Sequence, residues 1–163
     1  MKRVFLFLMA ATLALAAACT PTTESGSGGK AYRIRNADKV QLRMLDSVNA
    51  LRQAAAAPQV QLNAQLNAAA ATHSRDMSVQ NRPWHFGSDG SSPLDRVART
   101  GYTGSVLGEN ISETYENELQ TLTAWMEEPN TRAVILDQKA TQVGFSWFQE
   151  ANGKIWWTLV MAN

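Results

Sequence analysis

The chain has 163 residues, enough for one domain, with 15 Lys and Arg against 14 Asp and Glu, a formal charge of +1 and a single cysteine. Near-neutrality with interspersed charges excludes the electrostatic footprint of a nucleic-acid-binding protein. One cysteine excludes an internal disulfide framework.

In chain order, Lys2 and Arg3 precede an unbroken apolar and small-residue run from Val4 to Ala18, and Cys19 follows Ala16-Ala17-Ala18. This run is short of the ~20 apolar residues of a membrane-spanning helix and reads as a secretory signal peptide, residues 1–18. The junction resembles a bacterial lipobox, with Ala16 at the place where leucine is usual. It implies that Cys19 becomes the new amino terminus and carries a diacylglycerol thioether and an acylated amine, a palmitate-type membrane anchor. Cleavage there removes two positive charges and no acids, taking the formal charge to −1 over 145 residues. Thr20 is not the acid linked to inner-membrane retention, so outer-membrane residence is expected. Residues 19–36, with Thr-Pro-Thr-Thr-Glu-Ser-Gly-Ser-Gly-Gly at their start, read as lipidated cysteine and flexible tether, and 37–163 as the domain.

Val40, Met44, Ser47 or Val48, and Leu51 recur at helical spacing from Ala37 onward and Pro58 closes this first helix. Leu62, Leu66, Ala69, Ala70, His73 and Met77 form the inward stripe of a second, with Asn63 as cap. His73 is expected in the core. Residues 81–90 form a loop around His85, Ser92-Pro93-x-Asp95 starts a short third helix that Gly101 stops, and Val106 to Ser112 is extended. Tyr115, Leu119, Leu122 and Met126 outline a fourth helix ended by Pro129. Val143, Phe145 and Trp147 alternate, then Asn152-Gly153 turns the chain into Ile155 to Val160, a hairpin whose Trp147, Trp156 and Trp157 read as core. About four helices with a small, mainly antiparallel sheet make an α+β fold or a three-layer α/β/α arrangement.

Six fragments then occur in one order: Asn49-Ala50-Leu51-Arg52; Ala71 to Met77; His85-Phe86-Gly87-Ser88-Asp89-Gly90; Asp95-Arg96 with Gly101-Tyr102; Gly108-Glu109-Asn110-Ile111; and Trp125 with Arg132 to Leu136. From about Val40 to the carboxyl terminus the chain resembles the bacterial branch of the CAP superfamily, or SCP domain, of cysteine-rich secretory, antigen 5 and pathogenesis-related proteins. The resemblance implies an α-β-α sandwich and a cleft lined by two histidines and two acids, which in some members holds zinc or another divalent ion. It assigns His85 as the first histidine and Glu109 as the first acid, with Glu128 or Glu127 as the second. Thr131 stands where the second histidine is expected. Threonine is a poor zinc ligand, so the set His85, Glu109 and Glu128 points at most to a weak site for zinc, magnesium or calcium. No serine sits in a nucleophile elbow.

The expected protein is a monomeric, exported, lipid-anchored envelope module that binds an unidentified ligand or partner in this cleft. The alternative is a weak hydrolase using Glu109 or Glu128 with His85. Lipid or sterol carriage rests on family analogy alone.

Overall fold

A computed structural model of the chain describes residues 32–163; the expected signal peptide, Cys19 and most of the expected tether lie outside the described residues. The elements run α1 (Ala37–Ala54), β1 (Gln61–Leu62), α2 (Ala64–Gln80), α3 (Pro93–Arg99), β2 (Val106–Thr114), α4 (Glu118–Glu127), α5 (Pro129–Ile135), β3 (Gln142–Gln149) and β4 (Ile155–Ala162). The sheet order is β1-β3-β4-β2, with β1 parallel to β3 and the other pairs antiparallel.

Helix starts follow local chemistry. The Asn36 side chain accepts from Lys39 N–H, Asn63 from Gln65 and Leu66, and Ser92 and Asn117 each form a capping box. Asn63 caps α2, as expected, but Leu62 before it belongs to β1 instead of the helix. Among the described residues five helices stand where four were expected. Pro129, taken as a terminator, ends α4 and also opens α5, because its missing N–H falls in a first turn where no intrahelical partner exists. Tyr115 lies before α4 and is exposed.

The inner strand β4 divides the core by its period of two. Ile155, Trp157, Leu159 and Met161 face α1, α4 and α5, where they join Met44, Val48, Leu122, Trp125, Ile135 and Phe145. Val160 and Ala162 face α2 and α3 and pack on Leu66, Ala69, Ala70 and Val97. The result is the expected α-β-α sandwich. Trp156 and Trp157 are fully buried, and Trp147 packs partly buried on the same core.

Two glycines allow helices to approach the sheet closely. A Cβ on Gly144 would meet the Leu66 backbone of α2 at 2.3 Å, and one on Gly108 would meet Val134 of α5 at 2.6 Å. Residues 32–36, assigned to the tether, lie against the domain: Tyr32 Oη donates to Glu118, and Gln149 bonds both the Tyr32 carbonyl and the Ile34 N–H.

Candidate functional site

Each residue of Gly108-Glu109-Asn110-Ile111 has a separate physical task. Gly108 admits α5. Asn110 turns to the opposite side of the strand from Glu109 and donates from Nδ2 to the Thr131 carbonyl at 2.9 Å. The Ile111 carbonyl accepts from Trp125 Nε1 at 3.2 Å. Glu109 pairs in register with Val160, on the face covered by α2 and α3, and is only 9% exposed.

A buried carboxylate needs compensation. Arg96, from α3 and itself buried, donates through Nη2 to both Glu109 oxygens, at 3.0 and 2.7 Å. Its Nη1 donates to the carbonyls of His85 and Ser91, at 2.9 and 3.0 Å. One guanidinium thus neutralises the acid and fixes the loop that carries the histidine. The loop has further ties: Asp76 accepts from the Ser88 N–H and hydroxyl and from Gln80, Gly87 N–H bonds to the Ser91 carbonyl, and Asp89 pairs with Arg99 at 2.6 Å. Burial would raise the Asp76 carboxyl, but the Ser88 and Gln80 donors outweigh it and hold its pKa below the ordinary value.

His85 Nδ1 lies 2.9 Å from Glu109 Oε1, and because a carboxylate only accepts, Nδ1 carries hydrogen and Nε2 is left with its lone pair when the ring is neutral. The His85 side chain is half exposed. His73, expected in the core and fully buried there, approaches the same acid: its Nε2 donates to the Trp84 carbonyl at 2.9 Å and stands 3.7 Å from Glu109 Oε1. Burial pushes the His73 pKa down, Glu109 opposes this, and Arg96 adds to it.

Because the folded His73 resists protonation, the unfolded chain binds the extra proton. Stability is therefore complete above the ordinary histidine pKa of about 6.5 and falls as pH drops below it, by at most about 1.4 kcal/mol per pH unit for this one group. Melting temperatures measured between pH 8 and pH 5 should show this decline, flattened in His73→Gln. An equal slope in the variant would refute the assignment.

The structure brings His85 and Glu109 together and adds Arg96 and His73. Of these, Arg96 was legible only as a member of a family fragment, and His73 as an inward helical position within another. Glu127 and Glu128 are exposed, Glu128 at the start of α5 without a capping bond from its side chain. The Thr131 hydroxyl donates to the Trp125 carbonyl at 2.6 Å, joining α4 to α5. Neither Glu128 nor Thr131 lines the pocket beside His85. That pocket, about 560 Å³, is walled by Pro83, Trp84, His85 and Phe86 on one side and Ile111, Ser112 and Glu113 on the other. Trp84 and Phe86, 39% and 46% exposed, lie 5.2 Å apart, and the Arg82 guanidinium stacks on Trp84 at 3.8 Å.

The donor set does not fit a tightly held metal. Both Glu109 oxygens are engaged by Arg96, a cation that repels another, and His73 Nε2 carries hydrogen toward a carbonyl. Of the imidazole nitrogens, His85 Nε2 and the buried His73 Nδ1 keep free lone pairs, fewer than the about three protein ligands that a zinc centre needs. Among the described residues no group of three or more His, Cys, Asp or Glu converges as a metal site.

The family model for the cysteine-rich secretory protein family, CAP, matches residues 45–161. Among curated proteins, the uncharacterized protein YkwD of Bacillus subtilis is 27% identical over 135 residues, covering 83% of this chain and 49% of its own length. The chain thus spans about half the length of that relative. Among solved structures, an outer surface protein of Borrelia burgdorferi superposes with a TM-score of 0.73 at 10% identity, over 82% of this chain and 98% of that one. An extracellular SCP-domain protein of Bacillus anthracis gives 0.69 at 20% identity, over 81% and 45%. A cysteine-rich secretory protein of Staphylococcus aureus gives 0.65 at 12% identity, over 80% and 40%. At these identities the likeness is one of fold.

Proposed function

The chain belongs to the CAP family of cysteine-rich secretory proteins, and on that footing we propose that it is an exported, lipid-anchored envelope protein whose domain binds a ligand or partner without turning it over. One observation carries the non-enzymatic reading. Glu109, the acid that a hydrolase would use as general base, is buried and held on both oxygens by Arg96. A carboxylate so engaged orients His85 and braces the loop; it has no access to a water or a substrate proton. What remains open is a pocket with two exposed aromatic rings, one imidazole and balanced charge, the composition of a binding site.

The anchor is the Cys19 thioether, outside the described residues, and the polar residues after it give the domain reach from the membrane. The solved neighbours named as extracellular or outer surface proteins accord with export. Outer-membrane residence follows from Thr20 in a cell with two membranes. A Cys19→Ser protein should lose detergent-phase partitioning, and unchanged partitioning would refute the anchor.

A second reading rests on the His85–Glu109 bond, which leaves Nε2 facing the pocket as a base for a weak hydrolase; a placed base supplies roughly 10²–10⁴-fold. The two readings separate in one assay. Ester, amide and glycoside substrates, with and without added Zn²⁺, Mg²⁺ or Ca²⁺, should show no turnover that differs between the native protein and His85→Ala. Activity that disappears in the variant would overturn the binding reading.

A further inference from the structure

The far wall of the pocket is a sheet edge. β2 is a terminal strand, paired only with β4. In an antiparallel ladder the N–H and C=O of one residue point the same way and successive residues alternate. The direction can be read from β3, where the Val143 carbonyl accepts from Asn63 N–H on the β1 side, opposite β4, and Phe145, two residues on, likewise gives its N–H to Asn67 and its C=O to Gln41. Gly144, Ser146 and Phe148 therefore bond β4, taking Val160, Thr158 and Trp156. Ile155, Trp157 and Leu159 are left to bond β2 at Thr114, Ser112 and Asn110. Glu109, Ile111 and Glu113 consequently direct their main-chain groups outward, as the bond from Trp125 to the Ile111 carbonyl shows.

Among the described residues, the Ile111 N–H and both main-chain groups of Glu113 have no hydrogen-bond partner, and both residues line the pocket. Donors and acceptors two residues apart on a strand match the repeat of another strand, and such an edge is a ready template for one. Opposite them, Trp84 and Phe86 supply apolar surface for a side chain. The two carboxylates beside the pocket are already paired, Glu113 with Lys154 at 3.1 Å and Glu109 with Arg96, and the Arg82 guanidinium is seated over the Trp84 ring. No free carboxylate there recruits a cationic side chain, and the exposed rings favour an uncharged one.

We propose that the cleft takes an extended peptide segment, added as a short strand beside Ile111 to Glu113, with an uncharged apolar side chain held by Trp84 and Phe86. This rests on the binding reading above and names its ligand class. Main-chain pairing supplies affinity and the aromatic pocket selects the side chain. Because Trp125 occupies the Ile111 carbonyl, the added ladder is short.

The test uses the full chain in detergent and capped hexapeptides of alternating threonine and valine, with valine, leucine or phenylalanine at one central position, titrated calorimetrically. Glu113→Pro removes an outward N–H without touching the β2–β4 ladder, a position where proline is tolerated. It should weaken binding about tenfold or more, whereas Glu113→Ala, which loses the Lys154 pair but keeps the N–H, should stay within about twofold. Should Glu113→Pro fail to fold, N-methylation of each peptide amide in turn decides on the native protein, since one position must abolish the gain. Binding indifferent to Glu113→Pro and to N-methylation, or no peptide binding at millimolar concentration, overturns the proposal. Chito-oligosaccharide binding that is lost in Trp84→Ala but untouched by Glu113→Pro overturns the peptide class while leaving the cleft as a binding site.

Discussion

Replacing Arg96 by methionine should destabilise the domain by about 3–5 kcal/mol, because it strands the Glu109 carboxylate in the interior without its counter-charge. For a domain of this size the melting temperature should fall by roughly 10–20 °C. The loss has a second part: the carbonyls of His85 and Ser91 lose their shared donor, so the loop at the pocket mouth loosens. Removing both charges, as Arg96→Met with Glu109→Leu, should recover a large share of the stability, since an uncompensated charge costs more than an absent pair. A double-mutant cycle by denaturant unfolding measures this coupling directly. A loss under about 1 kcal/mol in Arg96→Met would mean that Glu109 is not held as described.

Arg52→Met should cost about as much, roughly 3–5 kcal/mol, for a different reason. Arg52 is fully buried and, among the described residues, forms no salt bridge; it donates to the carbonyls of Pro58, Ile135, Asp137 and Ala140 at 2.7 to 3.0 Å. It thereby joins the end of α1 to the approach to β1, the end of α5 and the entry to β3. The carbonyls at 135 and 137 lie at the negative end of α5, where a cation is favoured. Methionine fills similar volume but leaves the carbonyls of Pro58, Ile135 and Ala140 unpaired, each worth about 1–3 kcal/mol before relaxation, while Asp137 keeps the Ala140 N–H. Burial pushes the Arg52 pKa down and the nearby Asp137 carboxylate opposes this; a guanidinium keeps its charge inside proteins. Arg52→Lys should be intermediate, because one ammonium cannot span a fork of four acceptors. Unfolding midpoints in urea, with the slope unchanged, would register both variants; near-native stability in Arg52→Met would contradict the role.

These two arginines mark the boundary between what was legible in the chain and what was not. Both stood inside recognised fragments, Asn49 to Arg52 and Asp95-Arg96, yet neither could be assigned a partner, because their partners lie up to 88 positions away along the chain. Glu109 and His85 were paired by the family order of motifs, not by any spacing rule. Thr131 was read as a lost cleft ligand, and in the fold its hydroxyl and carbonyl join α4, α5 and β2.

The sequence by itself determined the helices with side-chain caps, the alternation of the terminal hairpin, the inward face of α2 and the family. All of these arise from interactions within a few residues or from ordered local signatures. Tertiary structure alone decided that Pro129 divides two helices, that Arg96 takes both oxygens of Glu109, that His73 stands behind His85, and that β2 leaves its edge open to the pocket. Those outcomes depend on which surfaces the sandwich brings together, and a buried charge selects its partner by proximity after packing, at separations where no periodicity carries the information.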